Sequence, residues 1–198
     1  GHILEELLIL FTKVAGHEIK EEQAELHVNG VKGHKDATID GVLIDFKSAS
    51  SFSFKKFRDG GILTDDPFGY IAQLSSYSEA DNNPNAGFVV IDKTTGELCY
   101  CPIDDMDMIN PVTRIDDIRK FLKSDEPPEK CYSSVADGAG GNFKLAFGCN
   151  YCDYKFTCWK DANDGKGIRT FMYSNGPKHL VTVGKTPNVP EITDAAQV

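Results

Sequence analysis

The chain has 198 residues, of which 40% are hydrophobic and 26% are charged, and its formal net charge is −9. This length fits one domain of ordinary size with at most a small appendage. No apolar run approaches the roughly 18 residues of a membrane-spanning helix, and no signal peptide is recognisable. We therefore expect a cytoplasmic protein without a membrane partner. An acidic chain is a poor general nucleic-acid binder, although a local basic surface on such a chain can still bind nucleic acid.

The first predicted elements are a helix and a strand. Apolar residues recur at helical spacing over residues 2–15, and Gly16 supplies a stop. Residues 18–28 alternate between apolar and polar, which predicts a half-buried strand that ends in a turn at Asn29-Gly30. The chain opens at Gly1 rather than at a methionine, so we expect upstream residues in the natural protein.

The central prediction is a β-hairpin whose turn is Asp40-Gly41, because both residue types tolerate positive φ. With that turn, Asp36 faces Asp45 across the ladder. Lys47 projects from the same face as Asp45, since side chains alternate along a strand, and His34 is expected opposite Lys47.

Two facing carboxylates repel each other unless a positive charge lies between them. A divalent cation between Asp36 and Asp45, with Lys47 beside it, removes this conflict. These aspartates are therefore candidate metal ligands. The alternative is a solvent-facing hairpin with scattered charges.

The segment after the hairpin begins with small residues, so we expect a loop over residues 48–54. A basic cluster follows the loop and is a candidate DNA contact. Its members are Lys55, Lys56 and Arg58.

A second helix is predicted over residues 66–80, with Asp66 as its N-cap and Pro67 at its first position. Tyr70, Gln73 and Tyr77 lie on one stripe of this helix. The stripe is either functional or the boundary face of a core helix.

Strands are predicted over residues 86–92 and 98–103, and a helix over residues 114–123. Together with the hairpin, these elements predict an α/β fold with a central mixed sheet flanked by helices.

Six cysteines in a chain without secretory features favour metal binding over disulfides. Cys149, Cys152 and Cys158 have the spacing C-x2-C-x5-C, which is typical of a compact metal knuckle. Cys131 is the nearest candidate for a fourth ligand, and a cysteine upstream of Gly1 is the alternative. If no metal binds, these residues are buried free thiols.

Three motifs together resemble the PD-(D/E)XK nuclease superfamily, in particular its RecB-like exonuclease branch. They are Gly33-His34-x-Asp36, Asp45-x-Lys47 and Gln73-x-x-x-Tyr77. The resemblance implies a restriction-endonuclease-like core over residues 1–125. We expect a cysteine segment over 126–160 packed on that core, then short strands and a mobile tail over 161–198.

The resemblance also implies the ligands. Asp36 and Asp45 are expected to hold Mg²⁺ or Mn²⁺, with His2 or Glu5 as a further ligand from the first helix and the backbone carbonyl of Phe46 completing the shell. The cysteines followed by Trp159 resemble an iron–sulfur knuckle, so a 4Fe-4S cluster is expected, with structural Zn²⁺ as the alternative. Lys35 stands where the superfamily's name has a proline.

The function implied is metal-dependent hydrolysis of DNA by an exonuclease, with Asp36, Asp45, Lys47, Gln73 and Tyr77 as catalytic residues. A role in phage or bacterial DNA recombination, repair or degradation follows, with a helicase or recombination protein as partner. The alternatives are a catalytically inactive DNA-end binding module and a zinc-stabilised interaction protein.

Overall fold

The structure is a computed structural model that describes residues 2–124 and 129–193. The chain divides into two compact units, Gly1–Lys123 and Ser124–Val198, which are called unit 1 and unit 2. Among the described residues, no helix is both long enough and apolar enough to cross a membrane.

Unit 1 is built from helices and strands in mixed order. Its α-helices are α1 (His2–Val14), α2 (Ser51–Arg58), α3 (Tyr70–Asp81) and α4 (Pro111–Leu122). Its strands are β1 (Ile19–Lys20), β2 (Glu25–Val28), β3 (Val31–His34), β4 (Ala37–Ile39), β5 (Val42–Ala49), β6 (Ala86–Asp92) and β7 (Leu98–Ile103). Short 3₁₀ turns cover Gly61–Leu63 and Asp105–Asp107.

Five of these strands form one sheet in the order β1-β4-β5-β6-β7, whereas β2 and β3 form a separate hairpin. Strands β5 and β6 are parallel, and the other neighbours in the sheet are antiparallel. The predicted α/β fold with a central mixed sheet and flanking helices is therefore confirmed, and the sheet has five strands.

Helices cover both faces of this sheet. Leu43 points into a core formed with Phe54, Phe57 and Leu74 from α2 and α3. Its neighbour Ile44 points to the opposite face, where Leu8 and Ile9 of α1 pack with other apolar side chains. The alternation of side chains along β5 thus places the central strand between two apolar layers.

The predicted hairpin forms with the predicted register. Asp40 (φ 49°) and Gly41 (φ 85°) both have positive φ, and Ala37 pairs with Ile44. The prediction for His34 is wrong, because His34 pairs with Glu25 in the β2–β3 hairpin rather than lying opposite Lys47.

The predicted strand over residues 18–28 is also wrong as a single element. Glu21 and Gln23 both have positive φ, which breaks the segment into β1 and β2. The turn at Asn29-Gly30 is confirmed, since both residues have positive φ and β2 pairs with β3 across them.

Residues 48–54 are not the predicted loop. Strand β5 continues to Ala49, and α2 then begins with Ser50 as its N-cap, whose hydroxyl accepts a hydrogen bond from the Ser53 N–H. The helix forms here because Phe54 and Phe57, three residues apart, both bury their rings in the core.

Helix α3 begins at Tyr70, later than predicted. Asp66 nevertheless caps it from a distance, because its carboxylate accepts hydrogen bonds from the N–H groups of Tyr70 and Ile71. Helix α4 begins earlier than predicted, since Asn110 caps it and Pro111 occupies its first turn.

The described part of unit 2 contains a second sheet and three short helices. Its strands are β8 (Val135–Asp137), β9 (Asn142–Lys144), β10 (Arg169–Tyr173), β11 (Gly176–Thr182) and β12 (Glu191–Ile192), in the antiparallel order β12-β10-β11-β9-β8. Its helices are α5 (Phe147–Asn150), α6 (Lys155–Cys158) and α7 (Ala162–Gly165).

The cysteine segment and the following strands share this sheet and one core. Leu145, Trp159 and Val181 are buried together, and Cys149 packs against them. The sheet therefore joins strands from both sides of residue 160, where the sequence predicted a division. Of the predicted tail, residues 194–198 lie outside the described residues.

A buried lysine anchors the end of the central hairpin in unit 1. Lys35 is 0% exposed, and its ammonium donates hydrogen bonds to Glu21, Asp81 and Thr38. Lys35 thereby connects the segment between β1 and β2, strand β4 and the end of α3.

We predict that Lys35→Ala lowers the free energy of unfolding by about 2–3 kcal/mol, because it leaves Asp81 without its partner in a mostly buried site. Urea denaturation followed by circular dichroism measures this change. The matched control is Lys13→Ala, which removes the exposed Lys13–Glu22 ion pair and should cost at most about 0.5 kcal/mol. Equal effects of the two substitutions would contradict the anchoring role.

Candidate active site and cysteine cluster

The candidate active site lies on β5, the middle strand of the sheet in unit 1. Asp45 is 2% exposed although it carries a carboxylate. Asp36 immediately precedes β4, one position beyond the Ala37–Ile44 pair, and its Oδ2 accepts a hydrogen bond from the Phe46 N–H at 2.7 Å. The predicted approach of Asp36 to Asp45 therefore occurs in the structure.

Burial dominates the electrostatics of this pair. It raises the pKa of Asp45 to about 6; the nearby Lys47 opposes the shift, while the charges of Asp36 and Glu5 add to it. Burial likewise raises the pKa of Asp36, against the hydrogen bond from Phe46 and the charge of Lys47. Ionising both carboxylates is thus unfavourable in the protein alone.

Oδ2 of Asp45 is buried, and its partner is the Lys47 ammonium. The two form an ion pair whose geometry is not that of a well-directed hydrogen bond. One ammonium cannot neutralise both Asp45 and Asp36, so a ligand that supplies further positive charge would stabilise the pair.

The Lys47 ammonium is held from the side of α3. It donates to Gln73 Oε1 at 3.3 Å and lies 4.9 Å from the centre of the Tyr70 ring. The amide nitrogen of Gln73 in turn donates to the hydroxyl of Tyr77 at 3.0 Å. The predicted residues Lys47, Gln73 and Tyr77 therefore form one connected chain of contacts.

Gly33 leaves the space that the Tyr77 ring occupies. A Cβ placed on Gly33 would lie 2.7 Å from Cε1 of Tyr77, closer than such contacts allow. The glycine of the first motif thus has a packing reason that involves the last residue of the third motif.

Glu5, rather than His2, is connected to the two aspartates. Glu5 Oε1 accepts a hydrogen bond from Gln23 at 2.6 Å, and Gln23 also interacts with Asp36. Burial, followed by the charge of Asp36, raises the pKa of Glu5. The side chain of His2 is fully exposed and lies 3.8 Å from Glu5, so its role as a ligand stays a prediction, as does that of the Phe46 carbonyl.

The aspartate pair fits a divalent cation by its chemistry. Within residues 2–124 and 129–193, no group of three or more His, Cys, Asp and Glu side chains is arranged to hold a metal ion. Mg²⁺ needs fewer protein ligands than that, because it keeps several waters and is often bound by one or two carboxylates plus substrate phosphate. The carboxylates of Asp36 and Asp45 satisfy that smaller requirement.

The basic cluster on α2 is mostly paired with carboxylates. Lys56 forms an ion pair with Asp65, and Arg58 lies against Asp59. The side chain of Lys55 is exposed. A DNA contact by these three residues stays a prediction.

The four cysteines of unit 2 lie near one another. Burial raises the pKa of Cys149, Trp159 opposes the shift, and the thiols of Cys158, Cys152 and Cys131 add to it. All four are free thiols. Among the described residues, these side chains are not arranged to hold a metal ion. Cys131 as the fourth ligand and the binding of Zn²⁺ or an iron–sulfur cluster therefore stay predictions.

Comparisons with known proteins add little to this geometry. No family model and no curated protein matches the chain. A solved structure titled "Crystal structure of SSO0001" is 17% identical with a TM-score of 0.43, and the match covers 78% of this chain and 66% of that one. The chain thus spans just under two thirds of that structure's length. Similarity at this level carries no argument about family or function.

Sequence reasoning missed Gln23, which connects Glu5 to Asp36. The strand predicted over residues 18–28 places Gln23 on its polar face, whereas in the structure Gln23 has positive φ and its side chain donates a hydrogen bond to Glu5 of α1. No local pattern marks such a residue, because glutamine is uncommon at positive φ.

We predict that Asp45→Asn stabilises the metal-free protein at pH 7.5. Folded Asp45 holds its proton up to about pH 6, whereas the unfolded chain releases it near the ordinary value of 3.8. Its ionisation therefore lowers stability as pH rises from about 4 to 6, by at most about 3 kcal/mol, and an amide avoids this cost. Thermal unfolding in EDTA should show a higher Tm for the variant at pH 7.5 and a shrinking difference towards pH 4.

The matched control is Asp40→Asn in the hairpin turn. His17 and the Glu18 N–H hold the pKa of Asp40 below its usual range, so its ionised form favours the fold. This variant should not stabilise the protein at pH 7.5. A Tm for Asp45→Asn below that of the wild type at pH 7.5 would contradict the assigned burial cost.

Proposed function

We propose that the chain is a metal-dependent deoxyribonuclease with a restriction-endonuclease-like core, acting as an exonuclease of the PD-(D/E)XK type. The observation that supports this proposal is the buried carboxylate of Asp45, which lies beside Asp36, has a raised pKa and is ion-paired with Lys47. Neither a purely structural hairpin nor a zinc-stabilised interaction protein accounts for two carboxylates brought together in this way.

Asp36 and Asp45 would hold Mg²⁺ or Mn²⁺, with Glu5 and His2 as candidate further ligands. A divalent cation bound there lowers the pKa of a coordinated water and offsets the negative charge that develops on the phosphate. The Phe46 N–H fixes the orientation of Asp36 by its hydrogen bond to Oδ2.

Lys47 would act on the attacking water or on the phosphate oxygens. Its ammonium lies between the Asp45 carboxylate and the Gln73 side-chain carbonyl, and these two groups fix its position. A positive charge fixed in this position favours the charged transition state without reorganisation. Gln73 and Tyr77 are positioning residues for Lys47.

The biological setting we propose is phage or bacterial DNA recombination, repair or degradation, in which a helicase or recombination protein is a suitable partner. The cysteine cluster would be structural, holding a 4Fe-4S cluster or Zn²⁺ in unit 2. The side chain of Cys149 packs against the core around Trp159, so bound metal would stabilise that core.

We predict that Asp45→Ala and Lys47→Ala each reduce DNA cleavage by at least about 10²-fold, because each removes a group that acts on developing charge. End-labelled linear DNA and circular DNA are incubated with Mg²⁺ or Mn²⁺, and Lys13→Ala serves as the folded control. Loss of linear but not circular DNA identifies an exonuclease. Wild-type turnover in either active-site variant would contradict the assignment, and no cleavage by the wild type would favour the inactive DNA-end binding module.

We predict that Cys149→Ala lowers the bound iron or zinc per chain and the Tm of the purified protein. Elemental analysis and thermal unfolding measure the two effects, and absorbance near roughly 400 nm separates an iron–sulfur cluster from zinc. Cys99→Ala is the matched control, because Cys99 lies on β7 in unit 1. Unchanged metal content in Cys149→Ala would contradict the cluster.

A further inference from the structure

A cleft beside Lys47 has features that the proposed chemistry does not use. It lies between the end of β5, α2, the segment before α3 and the residue that follows β6. The lining residues that matter here are Lys47, Ser50, Ser53, Lys56, Phe68 and Lys93. We call this feature the lysine cleft.

The lysine cleft is cationic in an acidic chain. The formal net charge of the chain is −9, yet three lysines and one aspartate, Asp65, line this cleft. Lys56 is paired with Asp65, and Lys47 is engaged with Asp45 and Gln73. These pairings leave the Lys93 ammonium as the charge of the cleft that can attract an anion.

Lys93 is the lysine of the cleft that is available for a ligand. Its backbone N–H donates to the Ala49 carbonyl, which fixes it beside the end of β5. Its side chain is exposed, and no ion pair or hydrogen bond connects its ammonium to another described residue. The Ser53 hydroxyl accepts from Ser50 and keeps its own proton for donation.

An aromatic ring forms the rim of the lysine cleft. Phe68 is 60% exposed, and its ring centre lies 5.7 Å from that of Tyr70, over which the Lys47 ammonium is placed. An exposed aromatic ring beside a cationic groove is the combination that binds single-stranded nucleic acid by stacking.

We infer that the lysine cleft binds the DNA strand next to the phosphate to be cleaved. Lys93 and Ser53 contact the neighbouring phosphate, and Phe68 stacks on the adjoining base. This inference rests on the proposed nuclease site, because Lys47 belongs to both. The phosphate is either internal to the strand or terminal, and both have the same chemistry.

The test is binding of a fluorescent oligonucleotide, measured by anisotropy in Ca²⁺ over a range of salt. Lys93→Ala should weaken binding about 5- to 10-fold at low salt and reduce the slope of log K against log salt by about 0.7. Phe68→Ala should weaken binding about tenfold with an unchanged slope, and Phe68→Tyr should restore it. The control Lys123→Ala removes an exposed lysine of unit 1 that does not line the cleft.

Three oligonucleotides distinguish a terminal from an internal phosphate: one with a 5′-phosphate, one with a 5′-hydroxyl and one that is circular. If the cleft binds a terminal phosphate, Lys93→Ala weakens binding of the 5′-phosphorylated oligonucleotide but not of the other two. An internal phosphate predicts the same effect on all three.

The outcomes separate this inference from the proposed function. Binding that depends on Lys93 and Phe68 without any cleavage supports the lysine cleft and contradicts the nuclease. Cleavage that depends on Lys47, with wild-type binding by Lys93→Ala and Phe68→Ala, overturns the lysine cleft alone. Absence of DNA binding by the wild type overturns both.

Discussion

The account depends on one unfavourable interaction, the burial of Asp45 on the middle strand of the sheet beside a second aspartate. Asp45 is 2% exposed and its pKa is raised to about 6, chiefly by loss of contact with water. A fold that served only stability would place a neutral residue there. Retaining this carboxylate makes sense if a cation neutralises it, and Lys47 supplies only part of that charge.

The rest of unit 1 holds this pair in position. The turn at Asp40-Gly41 sets the register that brings Asp36 towards Asp45, and the absence of a Cβ at Gly33 admits the Tyr77 ring. Lys35 anchors the segment next to Asp36, because its buried ammonium forms ion pairs with Glu21 and Asp81. A site supported by sheet and helix, rather than by loops, keeps its geometry.

The sequence predicted the features that local rules control. The turn chemistry of Asp40-Gly41 was sufficient to predict the hairpin and the register, and side-chain alternation then placed Lys47 on the face of Asp45. Prediction from the sequence failed where tertiary packing determines the secondary structure, as in α2, which forms because Phe54 and Phe57 are buried. It also failed at Lys35 and Gln23, since their partners are distant in sequence and no local pattern encodes such contacts.

The most direct test of the central claim is Mn²⁺ binding to the purified protein. Electron paramagnetic resonance measures the concentration of the free ion and thus the amount that is bound. The account predicts a bound Mn²⁺ that is lost when both Asp36 and Asp45 are replaced by asparagine and is retained when Cys149 is replaced by alanine. Mn²⁺ binding that is unchanged in the double aspartate variant would contradict the claim that this pair is a cation site.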